Sequence, residues 1–431
     1  MARIKWIDGL KGLAAFLVCL NHYFRGEITT PERSFWDDPP ELNRHWFQLP
    51  PFRLLWACVA NVSLFMVLSG YSICLSLFHL RDSGRTVDFL LRIRSAVWRR
   101  VVRLYLPVVI IGVISQTAFF VGLYDWPGIP EDLGGIMPWQ DPGAHIQYLG
   151  RTIAGSMHIF DYRFTHVLNT QLWTMPHDLR GSYAVYLAVL GLSAWRRPVR
   201  LAVLAATITY FVWYGSWCIF SFMAGVAIAE LTVSSDWKRH YSLGSKNPLI
   251  LLSFTTGVYL LCLNIENNHF PPEYAFLEPV QTSHWTAYSA IANVESCWHT
   301  IGASLLVFAI ASSAPLQRPF LTTPLQYLGK LHFPIYLVHQ LVFRLGRNPL
   351  KDYTWWTLTG ERYPGTEHAM DRPAACLAAW IGSGAILGGV ILAMAEMLNV
   401  VLAWCFAAVD HLEKGLHEDA GASRQRILKK D

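Results

Sequence analysis

Two residues near the start of the chain, Lys11 and His22, carry the first chemical signal. They stand in an apolar run from Ile7 to Tyr23 that reads as a helix. At about 100° per residue, eleven steps bring His22 back to within roughly 20° of Lys11, about 16 Å further along the axis. One polar stripe so placed would link the two sides of a bilayer. A lysine in hydrocarbon costs on the order of 3 kcal/mol on insertion scales, so it needs a partner or a function. Asp8, three residues earlier on the same stripe, is a candidate partner. Taken alone, the helix also admits a plainer arrangement, in which Lys11 snorkels to the interface and His22 ends the helix as an interfacial residue.

Four other segments carry polar residues where a membrane helix would be silent. Ser69-Gly70 falls in the middle of the apolar run at 57–79; glycine there admits another backbone, and the Ser69 hydroxyl is left to bond. Arg100 and Arg103 share a helical face at the entrance to the run at 101–123, a spacing suited to a phosphate group. Arg92 and Arg94 read as ordinary anchoring charges. Before the run at 181–195, Trp173-Thr174-Met175-Pro176-His177-Asp178-Leu179-Arg180 gathers an acid, a histidine and an arginine at the far surface. Tyr336 and His339, at i and i+3, face the interior of the ninth run.

The elements that must position these residues follow from composition. Hydrophobic residues make up 53% of the 431 and charged residues 15%, with positive mean hydropathy, which excludes an ordinary soluble enzyme. Apolar stretches at about 7–25, 57–79, 101–123, 181–195, 199–213, 216–232, 248–265, 294–313, 325–345 and 375–407 are long enough, or nearly so, to cross a bilayer. The fold class is therefore an all-α integral membrane protein, a bundle of about ten transmembrane helices with long non-cytoplasmic loops. Residues 1–412 form one transmembrane domain and 413–431 a polar, disordered cytoplasmic tail.

Lysine and arginine crowd the side that holds both termini, most clearly Arg92, Arg94, Arg99, Arg100 and Arg103, whereas the loop at 266–293 has none. Both termini are read as cytoplasmic on that bias, and no segment resembles a cleavable signal peptide. The net charge of +5 follows from sidedness and gives no reason to expect nucleic acid as a partner. The eight cysteines are scattered singly, so neither a disulfide framework nor a metal site is indicated. His45, His145, His158, His166, His269 and His299 are read as loop or surface residues.

In this order, the segments resemble the acyltransferase 3 family of multi-pass membrane acyltransferases. The resemblance rests on Asp8-Gly9-Leu10-Lys11-Gly12-Leu13-Ala14 with His22 downstream, on Leu64 to Tyr71, on Arg99-Arg100-Val101-Val102-Arg103-Leu104-Tyr105-Leu106-Pro107, on Leu172 to Ser182, and on Tyr327 to Gln340. The Trp-Thr-x-Pro version and the lack of an attached soluble domain are similar to the fungal branch. The resemblance implies transfer of an acyl group, usually acetyl, from cytoplasmic acyl-CoA to a hydroxyl. It makes His22 the essential histidine and Lys11 the basic residue before it, where arginine is usual; lysine keeps the charge but loses the planar fork. Asp178 stands where the family usually has glutamate, and His332 where serine is common.

Acyl transfer to an alcohol needs a base, stabilisation of the oxyanion and a grip on the donor. His22 is the candidate base, with an acyl-histidine intermediate as the alternative, and Asp178 is its candidate catalytic partner. Lys11, Arg100, Arg103 and Ser69 are assigned to the acyl-CoA (acetyl-CoA) co-substrate, and Trp173, Tyr336 and His339 to the acceptor. No metal is expected. The partners are acyl-CoA, a hydroxylated acceptor and the lipid bilayer. The acceptor is read as a small metabolite of polyketide or terpenoid type, in secondary-metabolite biosynthesis, with a cell-surface glycan as the alternative. A transporter or an inactive scaffold is the rival from another class. The location expected is an endomembrane such as the endoplasmic reticulum.

Overall fold

A computed structural model describes residues 4–124, 129–160, 166–233, 247–265, 269–286 and 290–427. Helices are the only extended regular elements among them. Those of fifteen residues or more, with one of fourteen, are α1 (Lys5–Phe24), α2 (Cys58–Asp82), α3 (Thr86–Phe120), α4 (Pro142–Ser156), α5 (Thr174–Gly191), α6 (Arg197–Trp213), α7 (Trp217–Thr232), α8 (Pro248–Leu261), α9 (Ala290–Ser312), α10 (Thr323–Thr359) and α11 (Pro373–Ile427). Each of the ten apolar stretches holds a helix, and the crowded region between 181 and 232 resolves into α5, α6 and α7.

Among the described residues, four helices are both long and apolar enough to cross a membrane: Cys58–Asp82, Thr86–Phe120, Asn293–Ser312 and Pro373–Val409. Trp217–Thr232 and Pro248–Leu261 are apolar but shorter. The others are shorter still in apolar length or, like α1 with Lys5, Asp8 and Lys11, interrupt it with charge.

Two boundaries differ from the sequence reading. Helix α10 continues through residues assigned to a loop at 346–373 and stops at Thr359, before Gly360 in the left-handed region with φ of 75°. Its extension is held from outside the helix: Arg347 donates to the carbonyl of Tyr23 at 3.0 Å, and Lys351 Nζ to Glu27 at 2.6 Å. The segment 413–427, expected to be disordered, continues α11, in keeping with its alanine, leucine, glutamate and lysine content.

Helix α1 sits between two cores. Trp6, Ile7, Leu10 and Ala14 join one with α2, α5, α7, α8 and α9. Val18 and Tyr23 join the other with α3, α5, α10 and α11. Its closest neighbour is α10. A Cβ on Gly12 would lie 2.5 Å from the backbone nitrogen of Gly329, so the two helices meet backbone to backbone. The close approach expected at Ser69-Gly70 is also present: a Cβ on Gly70 would overlap the Phe222 carbonyl in α7.

Several buried charges are paired. Glu230 in α7, 4% exposed, receives Arg81 at 3.0 Å and also bonds Arg200, which ties α2 and α6 to α7. Glu27, just beyond α1, receives Lys351 and Thr366. Burial raises the Glu27 pKa, but the Lys351 and Thr366 hydrogen bonds and the Lys351 and Arg347 charges outweigh it and hold the carboxyl below its ordinary range.

Two outcomes follow. Gly12→Val should separate α1 from α10 and cost about 3 kcal/mol or more, read as a lower unfolding temperature in detergent. Because the folded pKa of Glu27 is depressed, its stabilisation is complete above the ordinary carboxyl range and is lost as pH falls through the folded value. The difference in unfolding temperature between wild type and Glu27→Gln should therefore shrink on acidification; a difference that widens would contradict the pairing.

Candidate active site

Three cavities follow one another through the bundle. The first, about 240 Å³, is lined by Lys11, Ser69, Arg100, Arg103, Thr174, Asp178, His332 and Tyr336, among others. The second, about 160 Å³, contains His22 with Arg25, Glu32, Arg53, Cys58, Gln171, Trp173, Glu295 and His299. Val62 and Tyr336 line both, so these two residues form the wall between them. The third, about 370 Å³, is a polar vestibule with Arg33, Asp37, Asp38 and His269, and it shares Arg53 and Asn264 with the second.

The polar stripe of α1 is the thread between the first two. Lys11 opens into one and His22 into the other, as eleven helical steps require. Lys11 Nζ donates to Ser72 in α2 at 3.3 Å. His22 is held by α10: its Nδ1 lies 3.0 Å from His339 Nε2, and the rings stack at 5.0 Å between centroids. His339 Nδ1 lies 3.2 Å from the carbonyl of Ile335. A carbonyl oxygen only accepts, so a neutral His339 carries its proton on Nδ1 and presents a bare Nε2. His22 then donates through its own Nδ1, and its Nε2 keeps a lone pair. That nitrogen faces Cys58 Sγ at 3.9 Å. The chain from Ile335 through His339, together with the Val18 carbonyl one turn back in α1, thus favours the tautomer in which His22 Nε2 carries the lone pair.

Tyr336 is fixed rather than free. Its hydroxyl donates to the Gln171 carbonyl at 2.7 Å and contacts Thr174 Oγ1 at 2.8 Å, joining α10 to the start of α5. Trp173 lines the His22 chamber and packs edge-on against His177.

Asp178 lies apart from His22. The sequence set Asp178 and Arg100 at opposite surfaces, yet Arg100 Nη2 meets both Asp178 oxygens at 2.7 and 2.8 Å, and Arg100 Nε donates to Ser182 at 2.9 Å. Both residues face the first cavity, because α5 runs back past α3 and so brings the acid to the depth of the arginine. Arg100 is thereby oriented with Nη1 making no hydrogen bond among the described residues, while Arg103 is exposed at the rim with its guanidinium 5.8 Å from the Phe406 ring. No group of three or more histidine, cysteine or acidic residues suited to a metal occurs among the described residues.

Several residues were not legible beforehand. His299 is 1% exposed, inside α9 rather than at the surface. His145 and His166 are buried too; His145 is held by Gln116 at 2.7 Å, and burial pushes the His166 pKa down to about 3, with Arg344 adding to the shift. Arg25, Arg53 and Glu295 line the His22 chamber. Glu295 had a signal of its own, a carboxylate within an apolar run; Arg53 and Arg25 sit in loop sequence and had none.

The chain matches the acyltransferase 3 family, described as an acyltransferase domain, over residues 4–394. It belongs to that family. It is 24% identical to the O-acetyltransferase PaAT-1 of Phomopsis amygdali over 379 residues, covering 78% of this chain and 71% of the relative. It is 25% identical to the acyltransferase clz18 of Cochliobolus lunatus over 407 residues, covering 82% and 86%. No solved structure matches. The protein is thus an acyltransferase, and its relatives are fungal enzymes of similar length.

For this acyltransferase the tautomer chain gives a graded expectation. His22→Ala should remove transfer to background, a loss of about 10³-fold or more, and His339→Ala should lower kcat by about 10²-fold. His339→Gln, whose amide oxygen can accept from His22 Nδ1, should recover about 10-fold of that loss. Equal activity of the Ala and Gln variants at position 339 would remove His339 from the mechanism.

Proposed function

We propose that the enzyme moves an acetyl group from acetyl-CoA to a hydroxyl of a small metabolite of polyketide or terpenoid type. The observation that carries this reading is the meeting of a cation-lined cavity and a histidine-bearing chamber at the Tyr336–Val62 wall. Lys11, Arg100 and Arg103 supply positive charge for the phosphates of the donor. Asp178 acts there by holding Arg100 in place, and Ser69 lies on the path of the pantetheine arm. One relative is an O-acetyltransferase, which supports acetyl as the group.

His22 Nε2 takes the proton of the acceptor hydroxyl as its oxygen attacks the thioester carbonyl. The C–O bond forms and the C–S bond breaks. The proton passes from His22 to the departing CoA sulfur, which leaves as the thiol. His339 steadies the transient imidazolium through its bare Nε2. Arg25, whose side chain makes no hydrogen bond among the described residues, lines the chamber and offers charge to the tetrahedral oxyanion. Trp173 provides an apolar face for the acceptor.

In this reading all ten apolar helices cross an endomembrane such as the endoplasmic reticulum, with both termini cytoplasmic and the tail on that side. The first cavity then faces acyl-CoA, and the vestibule faces the opposite compartment.

Membranes bearing the protein, incubated with labelled acetyl-CoA and a metabolite extract, should yield labelled organic-soluble ester. Arg103→Ala should raise the KM for acetyl-CoA about 10-fold with a smaller change in kcat, as expected when a charged hydrogen bond to phosphate is lost. Label that enters no product in wild type, while purified protein binds no acetyl-CoA, would reject the donor assignment.

A further inference from the structure

Three groups that line the His22 chamber have acceptor capacity that is unused among the described residues, beside two arginines, Arg25 and Arg53, that still have N–H groups to donate. Gln171 is 1% exposed. Its Nε2 donates to the Leu337 carbonyl at 2.8 Å, which settles the amide orientation and leaves Oε1 buried without a partner. His299 Nε2 lies 2.8 Å from the Leu263 carbonyl. That nitrogen must donate, so the neutral ring presents a bare Nδ1, which is buried without a partner. Glu295, one helical turn before His299 and 8% exposed, makes no hydrogen bond among the described residues; its ion-pair contact is His299 at 3.8 Å.

Acceptors cannot satisfy one another, and leaving them buried and unpaired is costly. A ligand that fits has to bring donors. Hydroxyls suit the chamber because each both donates and accepts, so the same groups that serve the acceptors can also receive from Arg25 and Arg53, which line it as well. The way in is also polar, since the vestibule with Arg33, Asp37, Asp38 and His269 joins the chamber at Arg53 and Asn264.

We infer that the chamber binds a polyol: an acceptor with at least one hydroxyl besides the one delivered to His22, that further hydroxyl donating to Glu295, with Gln171 and His299 receiving any others. This rests on the acyl-transfer reading above and narrows its acceptor. It makes Glu295 and Gln171 specificity-determining residues, because a site built to bond a hydroxyl discriminates strongly against an analogue that lacks it.

The test supplies labelled acetyl-CoA to membranes carrying the full chain, with cyclohexanol, trans-cyclohexane-1,2-diol or trans-2-aminocyclohexanol as probe acceptor. Wild type should favour the diol over cyclohexanol by about 10-fold or more in kcat/KM. In Glu295→Leu and in Gln171→Leu that ratio should fall toward unity through a higher KM for the diol, while acetyl-CoA binding confirms that each variant is folded. A wild type that does not distinguish diol from cyclohexanol, a preference that survives in both variants, or a preference for the amino alcohol would overturn the inference. Acetylation of a metabolite extract but of none of the probes would overturn the polyol assignment alone. Absence of CoA release with probes and extract alike would reject the acetyl-CoA reading and the polyol with it.

Discussion

The contact between His22 and His339 is the constraint on which the site depends. An imidazole surrounded by apolar helices has little water to choose its tautomer, so the protein must choose. Here the choice starts at a backbone carbonyl, passes through His339 and ends with a lone pair on His22 Nε2. A stacked pair at 5.0 Å tolerates little movement of one helix along the other. The backbone-to-backbone approach at Gly12 and Gly329 is what holds α1 and α10 at that spacing. The glycines sit about three turns before His22 and His339 along their helices and still set the geometry of that contact, because a helix transmits position along its axis with little give.

Around that contact the charges are sorted. Cations line the first cavity, a mixed and largely acceptor-rich set lines the second, and the vestibule beyond is polar. Arg100 illustrates the economy of this arrangement. Half-buried beside Asp178, its charge is balanced and its plane is oriented, yet one amino group makes no hydrogen bond among the described residues. Elsewhere, pairs such as Arg81 with Glu230 and Lys351 with Glu27 serve the bundle itself, tying α2 to α7 and α10 to the segment after α1. Breaking one partner of such a pair would strand the other in a medium that solvates charge poorly.

Much of this was legible because it is periodic. The placement of Lys11 and His22 on one stripe needs only the helical repeat, and each of the ten apolar runs became a helix because an apolar segment must satisfy its own backbone. Ser69-Gly70 announced a close helix contact through the absence of a side chain. What failed were judgements of depth and partnership. Asp178 and Arg100 are separated by 78 residues, and nothing local says that α5 returns past α3 at the same level. His299 looked like one more histidine near a loop, though it is enclosed within α9. The continuation of α10 to Thr359 depends on Glu27 reaching Lys351 across the bundle, a long-range bond that no window of sequence contains.

By itself, then, the sequence determined the membrane-type helical class and the family, since these follow from composition, period and ordered short motifs. Only the tertiary structure decided that His339 meets His22, that Asp178 pairs with Arg100, and that Gln171, Glu295 and His299 line one chamber. The reason is physical. Periodicity fixes which face of a helix a residue occupies, whereas contact also requires the axial offset between helices, and that offset is set by close packing of side chains and glycines far apart in the chain.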